Sequence, residues 1–206
     1  MRIFRFYGLL VVVPALCGCQ PGGGSAIKPP SVDPAGAAEA AIQAHDADGD
    51  GKLSRTELVG CPGLLVSISK YDTNGDRHLG EEEVSSRLAS MYSGGVGLTI
   101  RQCSVLVGGR PLSGATVRLI PEEFLGGAVL TAEGVTDVNG QAQLAVDDAK
   151  LPADQRGLDA MQPGVYRVEI THPNRKIPKR YNSETTLGHE VHPGDRITAA
   201  FFALSK

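Results

Sequence analysis

DADGDGKLSRTE, Asp46 to Glu57, and DTNGDRHLGEEE, Asp72 to Glu83, are the two stretches on which the reading of this chain turns. Each sets oxygen-bearing groups at positions 1, 3, 5, 7, 9 and 12, the spacing from which one short loop can wrap a hard cation such as Ca²⁺. In the first stretch these are Asp46, Asp48, Asp50, the Lys52 carbonyl, Ser54 and Glu57. Gly51 fills position six, where the backbone must turn into φ > 0, and Leu53 at position eight is placed to pair with its counterpart in the second stretch. The second stretch offers Asp72, Asn74, Asp76, the His78 carbonyl and Glu83, with Leu79 as that counterpart. It departs from the pattern twice. Arg77 stands at position six, where a Cβ resists the left-handed conformation at a cost of roughly 1 kcal/mol. Gly80 at position nine brings no side-chain oxygen, so water would fill that vertex. Two Ca²⁺ sites are expected, the second weaker.

The flanking sequence supplies helices. Asp33-Pro34 reads as an N-cap and first helical residue, followed by an alanine-rich run with Ala38, Ala41, Ile42 and His45 on one face. Gly60 ends a very short helix after the first stretch. Pro62 opens the next, with Leu64, Leu65, Ile68 and Tyr71 as its apolar stripe, and Val84, Leu88 and Met91 repeat the spacing in a third. With these flanks the chain resembles the EF-hand family over roughly residues 34–92, which implies a helical EF-hand pair filling residues 33–92. The short linker Leu58 to Tyr71, and Met91 as the single methionine of residues 33–92, favour a compact structural unit over a sensor that opens to grip target helices. His45 is read as packing at its helix end rather than as a ligand.

Upstream, Arg2 and Arg5 precede the apolar run Leu9 to Leu16 and then Leu16-Cys17-Gly18-Cys19. The run is too brief to cross a bilayer, which takes about 20 apolar residues. It resembles the signal and lipobox of bacterial lipoproteins, which implies a signal peptide over residues 1–18, cleavage before Cys19 and a lipid on the Cys19 sulfur. Cys17 is the rival anchor, disfavoured by the bulk of Leu16 before it. Several acyl chains, at about 0.8 kcal/mol per buried CH₂, would hold the protein on a membrane. Residues 19–32, rich in glycine and proline, read as a flexible tether reaching up to about 40 Å at ~3.3 Å per residue. Gln20 after the anchor favours the outer membrane over the inner, as the resemblance has it.

Charge is unevenly divided. Loss of Arg2 and Arg5 takes the formal net charge from −3 to −5. Residues 33–92 hold eleven acidic and five basic side chains, whereas residues 93–206 hold twelve of each. Neither half has the cationic excess that nucleic-acid binding requires. The run Arg175, Lys176, Lys179 and Arg180 is local, and reads either as a solvated loop or as a contact with an anionic surface polymer.

Residues 93–97, with Ser93-Gly94-Gly95, form a linker, after which the period changes from helical to alternating. Ala115, Val117 and Leu119 alternate with Thr116 and Arg118; Ala142, Leu144 and Val146 with Gln141 and Gln143; Tyr166, Val168 and Ile170 with Arg167 and Glu169. Turn signals at Gly108-Gly109, Asp137 to Gly140, Gln162-Pro163-Gly164 and Pro193-Gly194-Asp195 divide about seven strands. The expected fold is α+β and multidomain: the helical pair, then an antiparallel β-sandwich of about seven strands over residues 98–206. GGRPLSGATVRLIPEE, GVTDVNGQAQL, MQPGVYRVEIT and IPKRYNSETTLGHEVHPGD together resemble the carboxypeptidase-regulatory-like, or transthyretin-like, family. That resemblance gives Gly114 and Gly140 tight turns, and implies no peptidase activity.

With Cys19 committed to lipid, Cys61 and Cys103 remain; they can bond across the two halves or stay separately buried. His189-Glu190-Val191-His192 lacks the spacing of a zinc-protease helix, and no nucleophile motif or phosphate-binding glycine loop is present, so no catalytic residues are assigned. The functional expectation is a calcium-binding, lipid-anchored envelope protein acting as a structural or binding module, the alternative being a Ca²⁺-responsive accessory subunit of an envelope enzyme or transporter. Its expected partners are the membrane, through the anchor, and an envelope protein or surface polymer.

Overall fold

The computed structural model describes residues 27–196 and 199–205. The expected signal peptide, Cys17, Cys19 and most of the expected tether lie outside the described residues. Among those described, no helix is long and apolar enough to cross a membrane. The fold is mixed α+β: three helices, a two-stranded ribbon and one curled sheet of eight strands.

Helix α1 spans Pro34–His45, α2 Pro62–Tyr71 and α3 Glu81–Ser93. The Asp33 carboxylate accepts from the Ala35 N–H at 3.2 Å and Pro34 takes the first helical position, so α1 starts where a missing N–H costs nothing. Leu64, Ile68 and Tyr71 of α2 and Val84, Leu88 and Met91 of α3 are buried together with Ala37, Ala38 and Ala41 of α1. A short 3₁₀ turn, Glu57–Gly60, separates the first loop from α2. Strands β1 (Lys52–Leu53) and β2 (Leu79–Gly80) pair antiparallel, and Leu53 faces Leu79 with both side chains fully buried.

The sheet holds β3 (Arg101–Val107), β4 (Arg110–Pro111), β5 (Thr116–Pro121), β6 (Ala132–Val135), β7 (Gln141–Val146), β8 (Gly164–Thr171), β9 (Gly188–Val191) and β10 (Ala199–Leu204). Their order is β10-β3-β7-β6-β5-β8-β9, with β4 beside β3. Alternate residues Val117, Leu119, Leu144, Val146, Val168 and Ile170 are buried, each contributing about 1.5–3 kcal/mol. The Asp137 to Gly140 turn joins β6 to β7, its Asp137 carboxylate accepting from the Asn139 and Gln141 N–H groups at 2.9 Å.

One pairing corrects the antiparallel expectation: β10 runs parallel to β3. Every step from β9 along the sheet to β3 is antiparallel, so β3 runs opposite to β9. The chain also reverses between β9 and β10, which sets β10 alongside β3 in the same sense. Curling brings the two edges near each other, and His189 of β9 meets Phe202 of β10 edge-on, ring centres 6.4 Å apart.

Helices and sheet are joined through α2, which packs on β8 and β9. Glycine permits the approach: a Cβ on Gly188 would collide with the Pro62 carbonyl, and one on Gly63 would lie 2.7 Å from Val165 Cγ1. Two buried carboxylates fix the ends of the contact. Glu122, after β5, accepts from the Gly63 N–H at 2.8 Å, near the start of α2. Glu190 accepts from Arg87 Nη2 at 2.6 Å and Lys70 Nζ at 3.1 Å, and its side chain is fully buried. Burial would raise the Glu190 pKa, but Arg87 and Lys70 outweigh it and hold the carboxyl below its usual range. Burial raises that of Glu122, and the Gly63 N–H and the Arg167 charge offset it only in part. Residues 27–32, the described end of the expected tether, lie against the body: Pro30 is buried, and a Cβ on Gly97 would strike the Ile27 and Lys28 carbonyls.

Cys61 and Cys103 are both free and buried, the second of the two arrangements open to them. Cys61 sits beside Glu122 at the head of α2, while Cys103 lies within β3 between Ala142 of β7 and Ala200 of β10. Burial pushes the Cys61 thiol far up and that of Cys103 up to about 11, so both stay protonated and pack as small apolar groups.

Candidate metal centre

Each loop begins at the C-terminus of a helix and closes on a glutamate eleven residues later. The first-position aspartate organises the turn. Asp46 accepts from the Gly49 N–H at 2.7 Å and the Gly51 N–H at 2.9 Å; Asp72 accepts from the Gly75 N–H at 2.6 Å and the Arg77 N–H at 2.9 Å. Position three serves position five: Asp48 accepts from the Asp50 N–H at 3.2 Å, and Asn74 from the Asp76 N–H at 2.8 Å. Position five serves position seven: Asp50 accepts from the Lys52 N–H at 2.8 Å, and Asp76 from the His78 N–H at 2.9 Å. Two sequences that differ at most positions thus make one polar framework.

The closing glutamates reach back across their loops. Glu57 accepts from the Ala47 N–H at 2.8 Å and, through its other oxygen, from the N–H and hydroxyl of Ser54, both at 2.7 Å. Those donors, Ser54 foremost, hold its pKa down to about 2. Glu83 accepts from the Thr73 N–H at 2.9 Å and the Gly80 N–H at 3.1 Å. With glycine at position nine, no hydroxyl meets it there.

Asp46, Asp48 and Asp50 bring one carboxylate oxygen each to within 4.8 Å of one another. This group could hold a metal ion, and every donor it offers is a hard oxygen, which suits Ca²⁺ or Mg²⁺ better than a thiophilic ion. The corresponding group of the second loop has Asn74 at its centre and so carries one charge fewer. Arg77 adopts φ 67°, the left-handed conformation expected of position six, beside φ 81° for Gly51.

Two features escape a ligand-by-ligand reading. The Lys52 ammonium crosses from the first loop to Asp76 of the second at 2.7 Å, so one residue serves both loops, by its backbone in one and its side chain in the other. That hydrogen bond raises the Lys52 pKa and lowers the Asp76 pKa. Position four is the second: Gly49 and Gly75 also lie at positive φ, 77° and 79°. The glycine repeated at that position in the two stretches is the signal for it.

The remaining histidines stand apart from the loops. Gly60 lies against the His45 ring, and burial lowers the His45 pKa. Burial lowers that of His189 to about 4, so it is a neutral ring beside Phe202. Glu190, between His189 and Val191, is committed to Arg87 and Lys70. No family model, curated protein or solved structure matches the chain, so the use of these loops is argued from their own geometry.

Proposed function

We propose that each loop binds one Ca²⁺ ion, the second more weakly, and that the chain is a lipid-anchored, extracytoplasmic protein of the bacterial envelope. On this reading an EF-hand pair stands on a transthyretin-like unit, built as one curled sheet where a two-sheet sandwich was expected, and the two serve as a structural or binding module. The reading is supported above all by the position-by-position repeat of loop geometry, in which the residues at positions one, three, five and twelve are held in place by the loop's own N–H groups. Such pre-ordering lowers the entropy lost when an ion is bound.

The way α2 is docked favours the structural role over the accessory-sensor alternative. A sensor must swing its helices apart to expose a groove. Here α2 is fixed to the sheet by Glu122 and Glu190, and Gly63 and Gly188 leave no slack between them. The anchor at Cys19, with the membrane as partner, belongs to the same proposal and rests on the lipobox residues.

Calorimetric Ca²⁺ titration of the detergent-solubilised mature protein tests the sites. Two equivalents are expected, with one lost in Glu57→Gln and the other in Glu83→Gln. Ca²⁺ at 100 times its dissociation constant should add about 2.7 kcal/mol to folding stability. An unchanged stoichiometry in both variants would overturn the ligand scheme.

A further inference from the structure

The basic run Arg175, Lys176, Lys179 and Arg180 is divided by the fold. Lys179 pairs with Glu184 at 3.1 Å, and Arg180 donates to Ser205 and lies over the Tyr181 ring at 4.9 Å. Arg175 and Lys176 instead join a third cation from a distant part of the chain, Arg110 of β4. Two adjoining hollows of about 490 and 210 Å³ share Val107 and Arg175 in their walls. Arg110 lines the first and Lys176 the second, and among the described residues no carboxylate lines either. Among the described residues none of these three cations has an ion-pair or hydrogen-bond partner.

That gathering has a chemical meaning in an acidic chain. Several like charges around a concave surface with apolar walls, here Val107 and Leu204, raise the local concentration of anions. A guanidinium fork matches two oxygens of one tetrahedral anion, and a lysine beside it adds a point charge. A lone carboxylate answers one cation only. A phosphate monoester or pyrophosphate carries more than one charge and presents oxygens in several directions.

We infer that the adjoining hollows between the β3–β4 turn and residues 175–178 form a binding site for a multiply charged phosphate group, carried either by a soluble compound or by a lipid headgroup. The site lies in the sheet half and does not depend on the calcium reading. Because all three cations are exposed, they can be replaced without disturbing the core.

The test is an NMR titration of the metal-free protein with inorganic pyrophosphate and with a short-chain phosphatidic acid, the matching phosphatidylcholine serving as control. Amide shifts should saturate at Gly108, Gly109 and residues 175–177. The combined Arg110→Ser, Arg175→Ser and Lys176→Ser variant should bind about tenfold more weakly or worse, three exposed charge pairs together giving roughly that factor. Tighter binding of phosphatidic acid than of pyrophosphate assigns the site to a lipid headgroup, and equal or weaker binding assigns it to a soluble phosphate. Absence of shifts at the hollows, undiminished affinity in the triple variant, or equal binding of citrate would each overturn the inference.

Discussion

The two loops share their frame and differ in what positions three, five, six and nine bring to it, position three being Asp48 in the first and the uncharged Asn74 in the second. Both turn on an aspartate that gathers the N–H groups of positions four and six, both close on a glutamate, and they meet through Leu53 and Leu79. At position six the first loop has Gly51 and the second Arg77, each at positive φ. At position nine Ser54 gives Glu57 a hydroxyl, and Gly80 gives Glu83 only an N–H. At position five Asp76 of the second loop is engaged by the Lys52 ammonium. The common frame has a mechanical reason: α2 leads out of the 3₁₀ turn after the first loop and directly into the second, so one docked helix positions both. Any difference in metal affinity should therefore be local to those side chains.

Breaking the shared anchor gives the largest expected effect. In Glu190→Gln, Arg87 and Lys70 lose their buried counter-charge, and removing one member of a buried pair is strongly destabilising. Both cations retain some water, so we expect about 2–3 kcal/mol, or roughly 5–10 °C in melting temperature. The ratio of the two calcium affinities should not change, because both loops hang from the same helix. A changed ratio would show that the anchor favours one loop. The pH dependence has a definite sign. A carboxylate whose folded pKa lies below its ordinary value of 4.5 stabilises the fold above that value, and its contribution fades as pH falls through the folded pKa. The stability gap between wild type and variant should thus be full at neutral pH and shrink below about pH 4.5.

Loop geometry was legible in the sequence because its causes are local. A ligand set with fixed spacing requires a particular turn, and that turn requires positive φ at position six, whether glycine or Arg77 stands there. Asp33-Pro34, the apolar stripes of α2 and α3 and the alternation of β5, β7 and β8 are local in the same sense. What escaped the reading depends on residues far apart in the chain. Glu190 reads as part of a histidine motif until Arg87 and Lys70 arrive from two helices. The four-residue basic run looks uniform until Glu184 and Ser205 claim half of it and Arg110 joins the remainder. The parallel placement of β10 follows from the order of the whole sheet, which no single strand records.

Arg77→Gly sharpens the comparison inside the second loop. The substitution relieves a left-handed residue of its Cβ, worth about 1 kcal/mol, and removes a positive charge near the proposed ion. We expect a roughly five- to twentyfold gain in affinity at the second site and little change at the first. NMR titration following Gly51 and residue 77 separates the two. Equal affinity before and after would mean that Arg77 sits in that turn without strain, since the 2.9 Å bond from its N–H to Asp72 is one that glycine also makes.

The smallest effect, and the one most specific to the pairing of the loops, belongs to Lys52. Its carbonyl is a proposed ligand of the first ion, and its ammonium lies 2.7 Å from Asp76, a proposed ligand of the second. The two side chains are 47% and 33% exposed, so water screens much of their attraction. Binding at the second site must nevertheless proceed against that ammonium, by displacing it from Asp76 or by tolerating its charge beside the ion. Lys52→Met keeps the backbone carbonyl and the length of the side chain while removing the charge. The second site should bind about two- to fivefold more tightly, with the first nearly unchanged, and the gain should shrink at high salt. A gain of equal size at both sites would point to general relief of positive charge across the ribbon. A loss at the second site would mean that Lys52 orders Asp76 for the ion, and the cross-loop pair would then be an aid to binding, with Asn74, Arg77 and Gly80 left to account for the weaker binding proposed for that loop.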